Sequence, residues 1–131
     1  MSVREELEAR TKRFAIRIIQ FIGGFEHSRS ADVVSYQLAK AATSVGANYR
    51  EAGRASSPND FIHKMSIVEK EAAETQYWLE ICCEGGLGEK GTAEELLREC
   101  SEILAVVTAA CRKAKANRGL VSESAEPFDI Q

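Results

Sequence analysis

The chain has 131 residues, with 17 Lys and Arg against 20 Asp and Glu, a net charge of −3 and an isoelectric point near 5.5. That length makes one domain that buries about two thirds of its unfolded surface without needing a disulfide or a metal, and the acidic balance argues against a binder that coats nucleic acid with its whole surface. No apolar run approaches the roughly 18 residues of a membrane span, and the charged start (Arg4, Glu5, Glu6, Glu8) is unlike a signal peptide, so a soluble cytoplasmic protein is expected.

Four stretches in turn carry apolar residues at the 3-4-3-4 spacing that makes one face of an α-helix. The first, predicted over residues 4–25, aligns Leu7, Thr11, Phe14, Ile18, Phe21 and Phe25, with a second apolar row of Ala15, Ile19 and Ile22 beside it. Arg10, Arg13 and Arg17 lie along another face of this helix, and Gly23 and Gly24 loosen its end.

The second helix, predicted over 30–56 with Ser28 or Ser30 as its cap, aligns Val34, Leu38, Ala41, Val45, Asn48 and Ala52. A polar residue on such a seam costs stability but fixes register, so Asn48 reads as a register residue, with Glu71 and Glu74 of the next helix placed to accept from Asn48, Arg50 or Arg54. Gly46 and Gly53 each lower helix propensity by up to about 1 kcal/mol, which close packing would offset. Lys40, Arg50 and Arg54 share a broad face that Glu51 interrupts.

Ser57, Pro58 and Asp60 mark the start of the third helix (58–84): a serine cap, proline in the first turn and a carboxylate at the positive end of the dipole. Its seam is Phe61, Met65, Val68, Ala72, Thr75, Leu79 and Cys82. Gly85, Gly86, Gly88 and Gly91 then require a loop, and Thr92 with Glu95 spells a capping box for a fourth helix over 92–117. That helix aligns Leu97, Cys100, Leu104, Val107, Cys111 and Ala114, with a second row of Leu96, Ile103, Val106 and Ala110. Arg112, Lys113, Lys115 and Arg118 place positive charge where its dipole is negative. Residues 119–131 lack the period and contain Pro127, so they read as a flexible tail.

The expected fold is therefore all-α, an antiparallel up-down-up-down four-helix bundle over residues 1–118. The two second apolar rows mark Ala15, Ile19, Ile22, Leu96, Ile103 and Val106 as candidates for an interface between copies. Residues 1–57 hold nine Lys and Arg against six Asp and Glu, while residues 58–131 hold eight against fourteen. Opposite charge on the two halves supports attraction within the bundle or between subunits.

Chemistry-bearing motifs are absent. There is no phosphate-binding glycine loop, nucleophile elbow, dinucleotide fingerprint or Cys-x-x-Cys, and only Asp60 with His63 has the spacing of a di-iron helix. No catalytic residue, cofactor, metal or small-molecule substrate is expected. Cys82, Cys100 and Cys111 fall on seams and Cys83 beside one, which suits small buried hydrophobes in a reducing compartment. The ligand signal that remains is basic: Arg10, Arg13, Arg17, Lys40, Arg50, Arg54, Arg112, Lys113 and Lys115, which an oligomer would repeat into a ring able to engage phosphates.

The stretch from Gln37 to Glu80 carries a family likeness. A Gln before a small-residue run, Val45-Gly46-Ala47-Asn48, an Arg-rich helix end, a serine corner, Phe61 and a Glu-rich helix ending in Trp78-Leu79-Glu80 resemble the S23 family, encoded in intervening sequences of bacterial 23S ribosomal RNA genes. The resemblance implies an antiparallel four-helix bundle that assembles as a homopentamer, with an undefined biochemical role. A related branch, the accessory proteins of diversity-generating retroelements, forms pentameric barrels that bind nucleic acid and a reverse transcriptase through a basic surface. This chain differs from that branch in its acidic balance. The function expected is a non-enzymatic oligomeric assembly module, and the alternative is a nucleic-acid-binding accessory protein.

Overall fold

A computed structural model describes the backbone of residues 1–125 and the side chains of residues 1–119. Four helices, α1 (Val3–Gly23), α2 (Arg29–Ala52), α3 (Pro58–Gly85) and α4 (Lys90–Ala125), account for nearly all of it. α1 packs on α2 and α4, and α3 packs on the same two, with no close backbone approach across either diagonal among the described residues. The result is a square, antiparallel four-helix bundle. The α2–α3 and α3–α4 seams are extensive, and the α1–α4 seam is the thinnest.

Local chemistry explains where each helix begins. Ser2 and Glu5 close a capping box on α1, and Ser28, the first of the two expected candidates, accepts from the Ala31 amide at 3.1 Å. At the α2–α3 corner Ser57 accepts from the Asp60 amide at 3.1 Å while Asp60 accepts from the Ser56 amide at 3.0 Å. The Ser56 amide, together with Lys64 at 3.3 Å, holds the Asp60 carboxyl below its ordinary range. Ser57→Ala should lower stability by about 1 kcal/mol in urea denaturation, because it orphans an amide in the first turn.

Several expected boundaries move. α1 ends at Gly23 rather than 25, and Phe25 folds back to stack edge-on against Phe21 at 5.0 Å. α2 stops at Ala52 rather than 56, because Gly53 and Arg54 turn the chain toward an extended Ser57. α4 starts earlier than its expected Thr92 cap: the Glu89 carboxylate accepts from the Gly91 and Thr92 amides and from the Thr92 hydroxyl. A carboxylate meeting two orphan amides at the positive end of the dipole outcompetes the Thr92–Glu95 box. α4 also continues to Ala125, past 118. Gly119 costs a helix only about 1 kcal/mol, and the first proline after it is Pro127; residues 126–131 of the expected tail lie outside the described residues.

The core is the shared interior of the four seams, where Phe14, Ile18, Leu38, Met65, Leu79, Leu96 and Ile103 are fully enclosed. Three seams differ from the expected register. Tyr49 is buried rather than Asn48, Ile62 rather than Phe61, and on α4 Ala93, Leu96 and Ile103 are buried while Leu97 and Leu104 flank the core. Two adjacent apolar rows on one helix fit the same period, and only the neighbouring helices choose between them. Gly46 lies where α2 meets α1: an added Cβ would come within 3.1 Å of the Thr11 hydroxyl oxygen.

Candidate interaction surface

Among the described residues Thr11 and Thr75 are the buried polar ones, and each returns its hydroxyl proton to a carbonyl one turn earlier, Leu7 at 2.9 Å and Glu71 at 2.7 Å. Among the described residues no buried side-chain N or O is left without a partner. The interior therefore presents no poised polar group. Its cysteines are free and stabilised as thiols: burial pushes Cys82 up to about 11 and Cys100 up to about 12, and Cys100 donates to the Ala72 carbonyl at 3.4 Å. Among the described residues no three His, Cys, Asp or Glu side chains gather as metal ligands, and no helix is long and apolar enough to cross a membrane.

The first-helix arginines are arranged differently from their expected phosphate-binding role. Arg10 grips Glu99 of α4 through two bonds of 2.8 and 2.6 Å and Glu102 through a third of 2.9 Å, and Arg17 reaches Glu95 at 3.1 Å. These ion pairs lace the thin α1–α4 seam. The pairing raises Arg10 above its ordinary value and holds Glu99 below 4.5. A carboxylate depressed in the folded state gives stability that is complete above its unfolded value and lost as pH falls through the folded one. Glu99→Gln should therefore cost about 0.5–1 kcal/mol at pH 7 and less at pH 3, read from urea midpoints at the two pH values. Arg13, the middle arginine of the row, stays exposed.

The other basic candidates gather mainly at one end. Arg50 and Arg54 border a small depression with Glu8, Gly53 and Arg4, whose guanidinium donates to the Gly53 carbonyl at 3.3 Å. Arg118 bonds Asn59 at 3.3 Å and so brings the basic end of α4, with exposed Arg112, Lys113 and Lys115, to the start of α3 at the same end. Lys40 is exposed near the middle of α2, away from this group. Arg4 belongs to the cluster, although nothing in the helix period singles it out.

Asn48 does not take the seam. It is half-buried and donates to the Ser44 carbonyl on its own helix at 2.8 Å, while Glu74 accepts from the Trp78 indole at 3.3 Å. No hydrogen bond joins Asn48 to Glu71 or Glu74 among the described residues, because Tyr49 occupies the inward position on that turn.

The interface candidates divide. Leu96 and Ile103 are core residues, enclosed within the single chain, and cannot meet another copy. Ala15 and Ile22 are half-buried, while Ile19 and Val106 remain 52% and 41% exposed. Besides Met1 and Val3 at the start of the chain, four further large side chains join them outside: Ile16 on α1, Val33 and Tyr36 on α2, and Tyr77 on α3. Sequence periodicity passes over these because they belong to no inward row. The available signal is their type, since bulky β-branched and aromatic residues are uncommon choices for a solvated helix face.

The model of the family described as 23S rRNA-intervening sequence protein matches residues 6–109. A crystal structure at 1.70 Å of a protein of unknown function from the S23 ribosomal protein family of Bacteroides thetaiotaomicron VPI-5482 is similar to this chain, with 32% identity and a TM-score of 0.74. The match covers 80% of this chain and 97% of that one. No curated protein matches the chain.

Proposed function

Because the chain belongs to the 23S rRNA-intervening sequence protein family, we propose that it is a non-enzymatic assembly module, a homo-oligomeric four-helix bundle, pentameric as the family resemblance implies. The observation that carries this reading is the set of large apolar side chains left outside a core that is already filled: Ile16, Ile19, Val33, Tyr36 and Tyr77. Their burial between copies is worth up to about 1.5–3 kcal/mol for each side chain fully enclosed, before the cost of association. The four free thiols suit a reducing, cytoplasmic setting. Multi-angle light scattering tests the reading. A mass near five times the 14.4 kDa of one chain is expected, and a monomer at micromolar concentration would contradict it.

A second reading has an observation of its own. Arg4, Arg50, Arg54, Arg112, Lys113 and Lys115 lie toward one end of the bundle, and parallel copies in a ring would gather them on one rim. Contacts with RNA or DNA phosphates would then weaken steeply with salt, by a log–log slope of about −0.7 to −0.9 for each phosphate neutralised. Binding that is absent at low salt, or insensitive to salt, excludes this reading.

A further inference from the structure

The oligomer proposed above needs faces, and the exposed side chains indicate how those faces pair. α1 and α3 occupy opposite corners of the bundle with α2 and α4 between them, so their outer faces look to opposite sides. On α1, Lys12, Ile16 and Ile19 follow one another at the spacing of a single helical stripe, with Arg13 beside them, and all four are exposed. On α3, Tyr77 is exposed and stacks edge-on against Trp78 at 5.1 Å. Glu80 and Glu84 follow it at one and two turns, also exposed, and Lys70 lies two turns before it at the opposite margin of the face. Among the described residues none of Lys12, Arg13, Glu80 or Glu84 is in a salt bridge. One face is aliphatic with a positive flank; the other is aromatic with a negative flank.

We propose that the α1 face of one copy docks on the α3 face of the next, a head-to-tail contact that repeats from copy to copy. The proposal rests on the self-assembly reading and adds its polarity and its residues. A two-fold contact of either face with itself would set like charges against each other, whereas the head-to-tail contact sets Lys12 and Arg13 against Glu80 and Glu84.

Light-scattering mass of charge-reversed chains tests the pairing. Lys12→Glu/Arg13→Glu should reduce the wild-type oligomer to a 14.4 kDa monomer at the same protein concentration, and Glu80→Lys/Glu84→Lys alone should do the same. Combining all four changes in one chain should restore the wild-type mass, because the charges then match again with their signs exchanged. All of these residues are exposed, and far-ultraviolet circular dichroism confirms that each variant keeps its helix content. A monomeric wild type would overturn the self-assembly reading itself. An oligomeric wild type whose reversed variants keep its mass, or a four-fold variant that stays monomeric, would overturn the α1–α3 pairing alone.

Discussion

Gly88→Ala should destabilise the bundle by about 3 kcal/mol, summing left-handed backbone strain and overpacking, and should lower the melting temperature by roughly 10 °C. Gly88 has φ +76°, and an added Cβ would come within 2.5 Å of the Phe21 ring and 2.6 Å of the Phe25 ring. The α3–α4 loop is thus seated directly on the aromatic pair that ends α1. Gly86 supplies the internal control: it also has positive φ, at +72°, yet nothing lies within 4 Å of its would-be Cβ. Gly86→Ala should therefore cost only the backbone part, about 1–2 kcal/mol. Urea denaturation of the two variants separates conformation from collision, and equal losses would mean that the loop does not rest on those rings.

Phe14→Ala should cost about 3–5 kcal/mol, the range for emptying a large buried aromatic site. Phe14 is 2% exposed and lies inside the closed square of seams, where the neighbouring helices cannot collapse into the space without giving up their own contacts. A loss of that size is a large share of the roughly 5–15 kcal/mol that stabilises a domain. Ile19→Ala makes the useful contrast on the same helix. Ile19 is exposed, so folding stability measured in a monomeric background should change by less than about 0.5 kcal/mol, while oligomer mass should fall. The pair of variants distinguishes the row that folds the chain from the residues that join copies. Denaturation at fixed protein concentration checks both, because binding between copies adds to apparent stability.

How far the sequence could be read depended on how many neighbours each feature involves. Helix starts at Ser28, Ser57 and Pro58 were legible because a cap is a contact between residues three positions apart. The Glu89 start was hidden behind a plausible Thr92 box, since both satisfy the same orphan amides and only the loop's path decides between them. The period found every seam but not its rotation: Leu96 and Leu97, or Ile103 and Leu104, are equally good inward residues until α3 and α1 are in place. Charge was the least legible layer. The arginine row of α1 looked available for phosphate, and its engagement became visible only once Glu95, Glu99 and Glu102 of α4 lay opposite. That pairing connects residues 78 to 92 positions apart, beyond any local pattern.

Asn48 illustrates the same limit on α2. A polar residue one position from the seam has the period of a register residue, yet Tyr49 fills the inward place and Asn48 bonds along its own helix. The exposed apolar residues fall outside any inward pattern by definition. Ile16, Val33, Tyr36 and Tyr77 acquire meaning only when the filled core shows that none of them is needed there.

Hydroxyl-radical footprinting of the wild type beside the Lys12→Glu/Arg13→Glu chain tests self-assembly through these faces most directly. The account predicts that Ile16, Ile19 and Tyr77 are shielded in the wild type and become reactive in the variant, while Val3, away from both faces, labels equally in the two. Full reactivity of Ile19 and Tyr77 in the wild type would contradict it.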